Sequence, residues 1–218
     1  MFPGLDTAQS KDLRSLKKVA KELKSCGWAK DTTGNFSLIK KYRVRKEPEI
    51  INEFKIDGDF PELAGYFIWL TPAGTEIEKV RDDPENGIGL YRILDGGSKL
   101  GLIWGAQPPT SEVLTHLSIA RTRGKTPLSI IHCHMDRVIK LEERFGKEIR
   151  MSLPSWVGWV HSLPPGSRDL ARTAAKRAEK FDIMIWESHG ICAVGSEPVD
   201  ALEIVQKLGE WAAEMGGD

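Results

Sequence analysis

Residues 128–141 read LSIIHCHMDRVIKL, an apolar run that ends in two histidines and passes straight into a helical pattern. Alternate residues of a strand share a face, so His132 and His134 point the same way while Cys133 points the other. The helix that follows, MDRVIKLEERFG at 135–146, makes this a strand-to-helix unit. Further alternating elements lie on either side. Upstream, residues 10–27 (SKDLRSLKKVAKELKSCG) place Leu13, Leu16, Val19, Ala20 and Leu23 at helical spacing, with Ser10 as N-cap and Gly27 as the stop. NFSLIKKY, ELAGYFIWL, GIGLYRIL and KLGLIWG read as strands, the last two joined by a hairpin-like turn through Asp95, Gly96 and Gly97.

Between that hairpin and the two histidines, TSEVLTHLSIARTR reads as a helix. Downstream come a strand at WVGWV, a helix at RDLARTAAKRAEKF capped by Ser167, a strand hairpin at DIMIWESHGICAVG with Gly190 near its turn, and a long closing helix at EPVDALEIVQKLGEWAAEM. Hairpins and helices on one connected core predict an α/β fold with a mixed, largely antiparallel sheet and helices on both of its faces. With no linker or repeat, the 218 residues are expected to form a single domain, 1–218.

Thirty-one basic residues balance 31 acidic ones, which removes the electrostatic case for nucleic acid or an anionic membrane. The longest apolar stretches, AGYFIWL and DIMIW, fall well short of the ~20 residues a membrane span needs, and the first residues lack the apolar segment of a secretion signal. Cys26, Cys133 and Cys192 form no CxxC pair, and an odd count suits a reducing, cytoplasmic setting.

An HxH pair alone is as compatible with packed core histidines as with a metal. His189 changes the balance, because it follows the apolar IMIW and precedes Gly190, so its imidazole sits at an element end. Three imidazoles can form an open zinc site that leaves a position for water or substrate. A cupin-type reading of HxH needs a glutamate four or five residues on, where Val138 and Ile139 stand instead. His116 and His161 read as packing or hydrogen-bonding residues. Thr110 and Ser111 in PPTSEVLTH lie where a helix begins, a place that suits a phosphate, and Glu112 follows; the same residues also make an ordinary helix start with an acidic first turn. Gly34 and Asn35 in DTTGNFS fit either a simple turn or a cradle for an anion.

Together GWAKDTTGNFS, YFIWLTPAG, GIGLYRIL with LIWG, PTSEVLTH, IIHCHMDRVIKL and WESHGICAVGSEPVDALEIVQKLGEWA resemble, in order and over nearly the whole chain, the class II aldolase and adducin superfamily, most closely its rhamnulose-1-phosphate aldolases. The resemblance implies a three-layer sandwich, a zinc ion held by His132, His134 and His189, and Glu112 as the catalytic carboxylate. It also implies a substrate phosphate held by Gly34, Asn35, Thr71, Gly74, Thr110 and Ser111, and a homotetramer, for which SLPSWVGWVHSLPP with Trp156 and Trp159 is the candidate contact. The expected reaction is cleavage of a ketose 1-phosphate to dihydroxyacetone phosphate and an aldehyde, with manganese or cobalt as alternative ions. Rival readings are a zinc-dependent methylthioribulose-1-phosphate dehydratase and a non-catalytic adducin-like interaction domain. This chain departs from the aldolase pattern at Thr32, where a second asparagine is usual, and at Pro72, Ala73 and Gly74, which replace a Gly-Ser-Gly loop. Glu142, Glu143 and Glu148 read as surface charges, which leaves no counterpart for a second acid near the aldehyde oxygen.

Overall fold

Strand β1 (Asn35–Lys40) is buried on both faces, and that determines how the layers stack. The computed structural model describes residues 8–216. In chain order it consists of α1 (Ala8–Ser25), β1, β2 (Asn52–Lys55), β3 (Phe67–Leu70), α2 (Lys79–Asp82), α3 (Pro84–Gly87), β4 (Gly89–Leu94), β5 (Lys99–Gly105) and α4 (Val113–Arg123). It continues through β6 (Leu128–Cys133), α5 (Asp136–Phe145), α6 (Ile149–Ser152), β7 (Val157–Val160), α7 (Arg168–Ala178), β8 (Ile183–Trp186), β9 (Gly190–Gly195) and α8 (Pro198–Glu214).

Among the described residues nine strands form one sheet in the order β2-β5-β4-β3-β1-β6-β9-β8-β7. Every neighbouring pair is antiparallel except β7 with β8, which α7 joins as a crossover. Phe36 and Leu38 of β1 pack with α1, α5 and α8, whereas Ile39 packs with α4 and α7. The same alternation recurs along β8 and β9, so two apolar cores lie on opposite faces of the sheet. The predicted mixed sheet with helices on both faces is what forms.

Local signals worked where they were chemical. Gly27 ends α1 with a positive φ of 69°, and Trp28 N–H returns to Leu23 O. Ser167 Oγ accepts from Leu170 N at the start of α7. Ser10 does not cap α1: the helix is already under way at Ala8, and the fully buried Gln9 belongs to it. Strand β2 was not anticipated, because NEFK is an exposed edge segment without apolar alternation.

Candidate active site

On the α4 face of the sheet, the apolar lining is interrupted by Asn35 and Ser37 of β1 and by His132 of β6. Asn35 and His132 stand directly opposite each other in the antiparallel register. Above them lies the start of α4, where Glu112 occupies the N-cap position and His116 follows four residues on, hence on the same side. The Glu112 carboxylate makes no capping bond. It turns down toward the sheet instead and is 4% exposed.

The third element is the turn between β8 and β9. His189 N–H donates to Trp186 O at 2.9 Å. A Cβ at Gly190 would come within 2.6 Å of Cys133 O and 3.3 Å of the His132 ring, so glycine is what lets this turn close onto β6. Ser188 takes a left-handed φ of 58°, and its N–H is held by Glu142 Oε2 at 2.7 Å. Arg150 Nη2 donates to both Glu187 oxygens at 3.0 and 3.1 Å, which fixes the other side of the turn. Glu142 is thus an anchor for this turn and not a free surface charge, and burial pushes its carboxyl up to about 7.

These elements bring one nitrogen from each of His132, His134 and His189 within 4.8 Å of one another. Nε2 of His132 and Nε2 of His134 are 3.1 Å apart. Glu112 spans the cluster, with Oε2 3.5 Å from His132 Nε2 and Oε1 3.6 Å from His189 Nε2. Nδ1 of His132 lies 2.9 Å from Ile191 O; a carbonyl only accepts, so Nδ1 carries the proton and Nε2 presents its lone pair to the cluster. Trp186 stacks on the His132 ring at 4.7 Å and 21°, walling one side of the site. Burial, and then the neighbouring imidazoles, push His132 down to about 3 and His189 down to about 4, while burial also lowers His134. All three rings are therefore neutral near pH 7, the state in which imidazole binds metal. Glu112 Oε1 and His189 Nδ1 are buried without a hydrogen-bond partner. Such groups are costly unless a ligand satisfies them. Three imidazole nitrogens beside a carboxylate fit a divalent transition metal.

The residues expected to grip phosphate divide into two sets. Gly34 turns the chain with φ 80°, and a Cβ there would meet His132 O at 3.0 Å, so the loop sits against β6. Thr71 Oγ1 accepts from Phe36 N at 3.1 Å, Thr110 N donates to Thr71 O, and Asn35 Nδ2 donates to Glu112 Oε2 at 2.9 Å. Gly34, Asn35, Thr71 and Thr110 thus converge beside Glu112. Gly74 and Ser111 are exposed nearby, where the 71–74 and 108–112 loops join through a Pro72–Pro109 bridge. The hydroxyls of Thr71 and Thr110 already accept from backbone amides, Phe36 N of β1 for the first and, at 3.4 Å, Glu112 N for the second. Ser37 and His116 join the same row as Asn35, His132 and Glu112; the sequence assigned Ser37 no role and read His116 only as a packing or hydrogen-bonding residue. The i,i+4 spacing of Glu112 and His116 was the available signal.

Residues 14–215 match the family described as Class II Aldolase and Adducin N-terminal domain. The chain is similar to the rhamnulose-1-phosphate aldolase of Enterococcus faecalis, 24% identical over 235 residues that cover 97% of this chain and 84% of that one. Among solved structures it is similar to the sugar-phosphate aldolase of Thermotoga maritima, with a TM-score of 0.79, 25% identity and 95% and 94% of the two chains covered. An L-fuculose 1-phosphate aldolase shares the fold at a TM-score of 0.66 and 21% identity, with 98% and 87% covered.

Proposed function

This chain belongs to the class II aldolase and adducin family and is a lyase of the aldolase type, and from that premise we propose that it cleaves a ketose 1-phosphate, of the rhamnulose-1-phosphate kind, into dihydroxyacetone phosphate and an aldehyde. The observation that carries the reading is the buried Glu112 carboxylate beside three convergent imidazole nitrogens, with Oε1 left unpartnered. His132, His134 and His189 hold the metal, zinc in this proposal, with manganese or cobalt as alternatives. When bound, the ion supplies Lewis-acid stabilisation of the negative charge that develops at the ketone oxygen.

The chain's own groups do the rest. In cleavage the hydroxyl next to the breaking carbon–carbon bond gives up its proton as the aldehyde carbonyl forms, the bond's electron pair stays on the phosphate-bearing fragment, and Glu112 Oε1 passes a proton to that carbon; in the reverse direction Oε1 removes it. Asn35 holds Oε2 and thereby keeps the carboxylate aimed. Burial of His132 and Glu112 keeps these two side chains themselves away from bulk water. In this reading Gly34, Asn35, Thr71, Gly74, Thr110 and Ser111 line the phosphate subsite and orient the substrate without joining the chemistry. Gly34, Gly74 and Ser111 would contribute through backbone amides, Ser111 also through its exposed hydroxyl and Asn35 through its second side-chain N–H, whereas the Thr71 and Thr110 amides already donate to Phe36 O and Thr71 O. The proposal places the enzyme in the cytoplasm as a homotetramer of one-domain subunits, with Trp156 and Trp159 at an edge of the sheet as the contact. No helix among the described residues is long and apolar enough to cross a membrane.

The test is proton exchange. Metal-loaded protein incubated with dihydroxyacetone phosphate in deuterated water should exchange one hydrogen of the hydroxymethyl carbon stereospecifically, even without an aldehyde. No exchange by protein of verified metal content would refute the aldol reading and direct attention to dehydration of a sugar phosphate.

A further inference from the structure

One buried group is not used by the proposed chemistry. His116 is 1% exposed and sits on α4 between Asn35 and Ser37. Its Nε2 lies 2.6 Å from Asn35 Oδ1, and its Nδ1 lies 2.7 Å from Ser37 Oγ. Chemistry settles the direction of every bond in this row. A carboxylate only accepts, so the Asn35 nitrogen must face Glu112, which it does at 2.9 Å. That leaves Asn35 Oδ1, another pure acceptor, toward His116, so Nε2 must carry the proton. The ring is neutral, because burial pushes His116 down to about 4. Its Nδ1 is therefore bare and accepts the Ser37 hydroxyl proton. All donors along Ser37, His116, Asn35 and Glu112 point the same way and end on Oε2.

Resting on the aldolase reading above, we propose that His116 is a positioning residue whose Nε2–H fixes the Asn35 amide, so that Asn35 engages Glu112 Oε2 and leaves Oε1 as the free basic oxygen. Glu112 alone already selects the nitrogen side of the amide, and the His116 donor holds the oxygen end. Without that donor Asn35 Oδ1 is left buried and unpartnered and the amide is held at one end only, so Glu112 loses its fixed aim at the histidine cluster. No metal ligand is touched by this row apart from Glu112's approach to the imidazoles.

Two independent measurements test it on the full chain. The first needs no activity: the nitrogen-15 histidine spectrum of metal-free protein should show His116 protonated at Nε2 alone, and Asn35→Leu, which removes the acceptor that holds the proton there, should add the Nδ1–H form. A parent protein with His116 protonated mainly at Nδ1 overturns the proposal. The second is exchange kinetics. His116→Leu should lower the exchange turnover number ~10–100-fold, as loss of an outer-shell partner typically does, with KM and bound metal little changed. His116→Gln, whose amide nitrogen reaches the same acceptor, should recover most of the loss. Equal exchange by parent and His116→Leu, or no difference between Leu and Gln at equal metal content, overturns it. Should His116→Leu fail to fold, His116→Met takes its place: it matches glutamine in shape but lacks the donor, so a packing role predicts equal turnover by the Met and Gln variants, whereas a positioning role predicts the loss in the Met variant alone. A parent that never exchanges defeats the aldolase reading itself, while the tautomer spectrum still reports whether the row is directed as described.

Discussion

Strand β1 carries a buried polar network on each of its faces, and the two are built differently. On the α1 side, Asp12 receives Tyr42 OH and, at 3.0 Å, Lys40 Nζ, while Trp69 Nε1 donates to the Tyr42 oxygen at 2.8 Å. Each carboxylate oxygen there has a protein donor, and burial together with Asp12 drives the Tyr42 hydroxyl well above its ordinary range. On the α4 side, Glu112 has one oxygen held by Asn35 and the other unpartnered. The closed network ties α1 to the sheet. The open one leaves capacity for something the chain itself does not supply, and this separates a site from a structural cluster more sharply than burial, which the two share.

Four outcomes would break or sharpen that contrast. The largest effect is expected on the open side: replacing His132, His134 or His189 by alanine should strip bound metal and abolish exchange together, as metal analysis beside the deuterium assay would show. Full metal content in all three variants would remove the histidine assignment. Next, Glu112→Gln should retain metal and fold but lose roughly 100 to 10,000-fold in exchange, the range typical of a proton-transfer group.

The closed network should answer only in stability. Asp12→Ala leaves the Tyr42 hydroxyl and the Lys40 ammonium without their shared acceptor, which should cost about 3 kcal/mol in denaturant unfolding. Exchange by the folded fraction should stay at the parent rate, and a fall comparable to that of Glu112→Gln would erase the distinction between the two networks. The smallest effect concerns acid. His116 is pushed down to about 4 from 6.5, so the unfolded chain takes up its proton first as the pH falls. That contribution is complete above 6.5 and is lost on the way down to about 4, amounting to about 2 kcal/mol between pH 7 and pH 5. Metal-free His116→Gln should therefore lose less stability than the parent over that interval; equal losses would show that His116 titrates normally.

Much of this was legible from residue order because it rests on local chemistry. The helix stop at Gly27, the Ser167 cap, the β8–β9 hairpin and the same-face placement of His132 and His134 follow from backbone freedom and from the two-residue period of a strand. The pairing of β7 with β8 was less accessible, since parallel partners are separated by a whole helix and leave no turn signature. Glu142 looked like one of several charges on an amphipathic helix, and only the turn that packs against it makes it an anchor for Ser188.

By itself, then, the amino-acid sequence determined which chemistry was available: three imidazoles near element ends, a carboxylate where a helix begins, and glycine-bearing loops around them. Tertiary structure alone decided which of these groups meet and which oxygen of Glu112 stays free. Antiparallel register sets Asn35 opposite His132, α4 lowers Glu112 and His116 onto them, and the missing side chain of Gly190 admits His189. The reason is physical. Backbone conformation and capping are decided within a few residues, whereas the direction of a hydrogen bond depends on an acceptor some eighty positions away in the chain, as with His116 and Asn35.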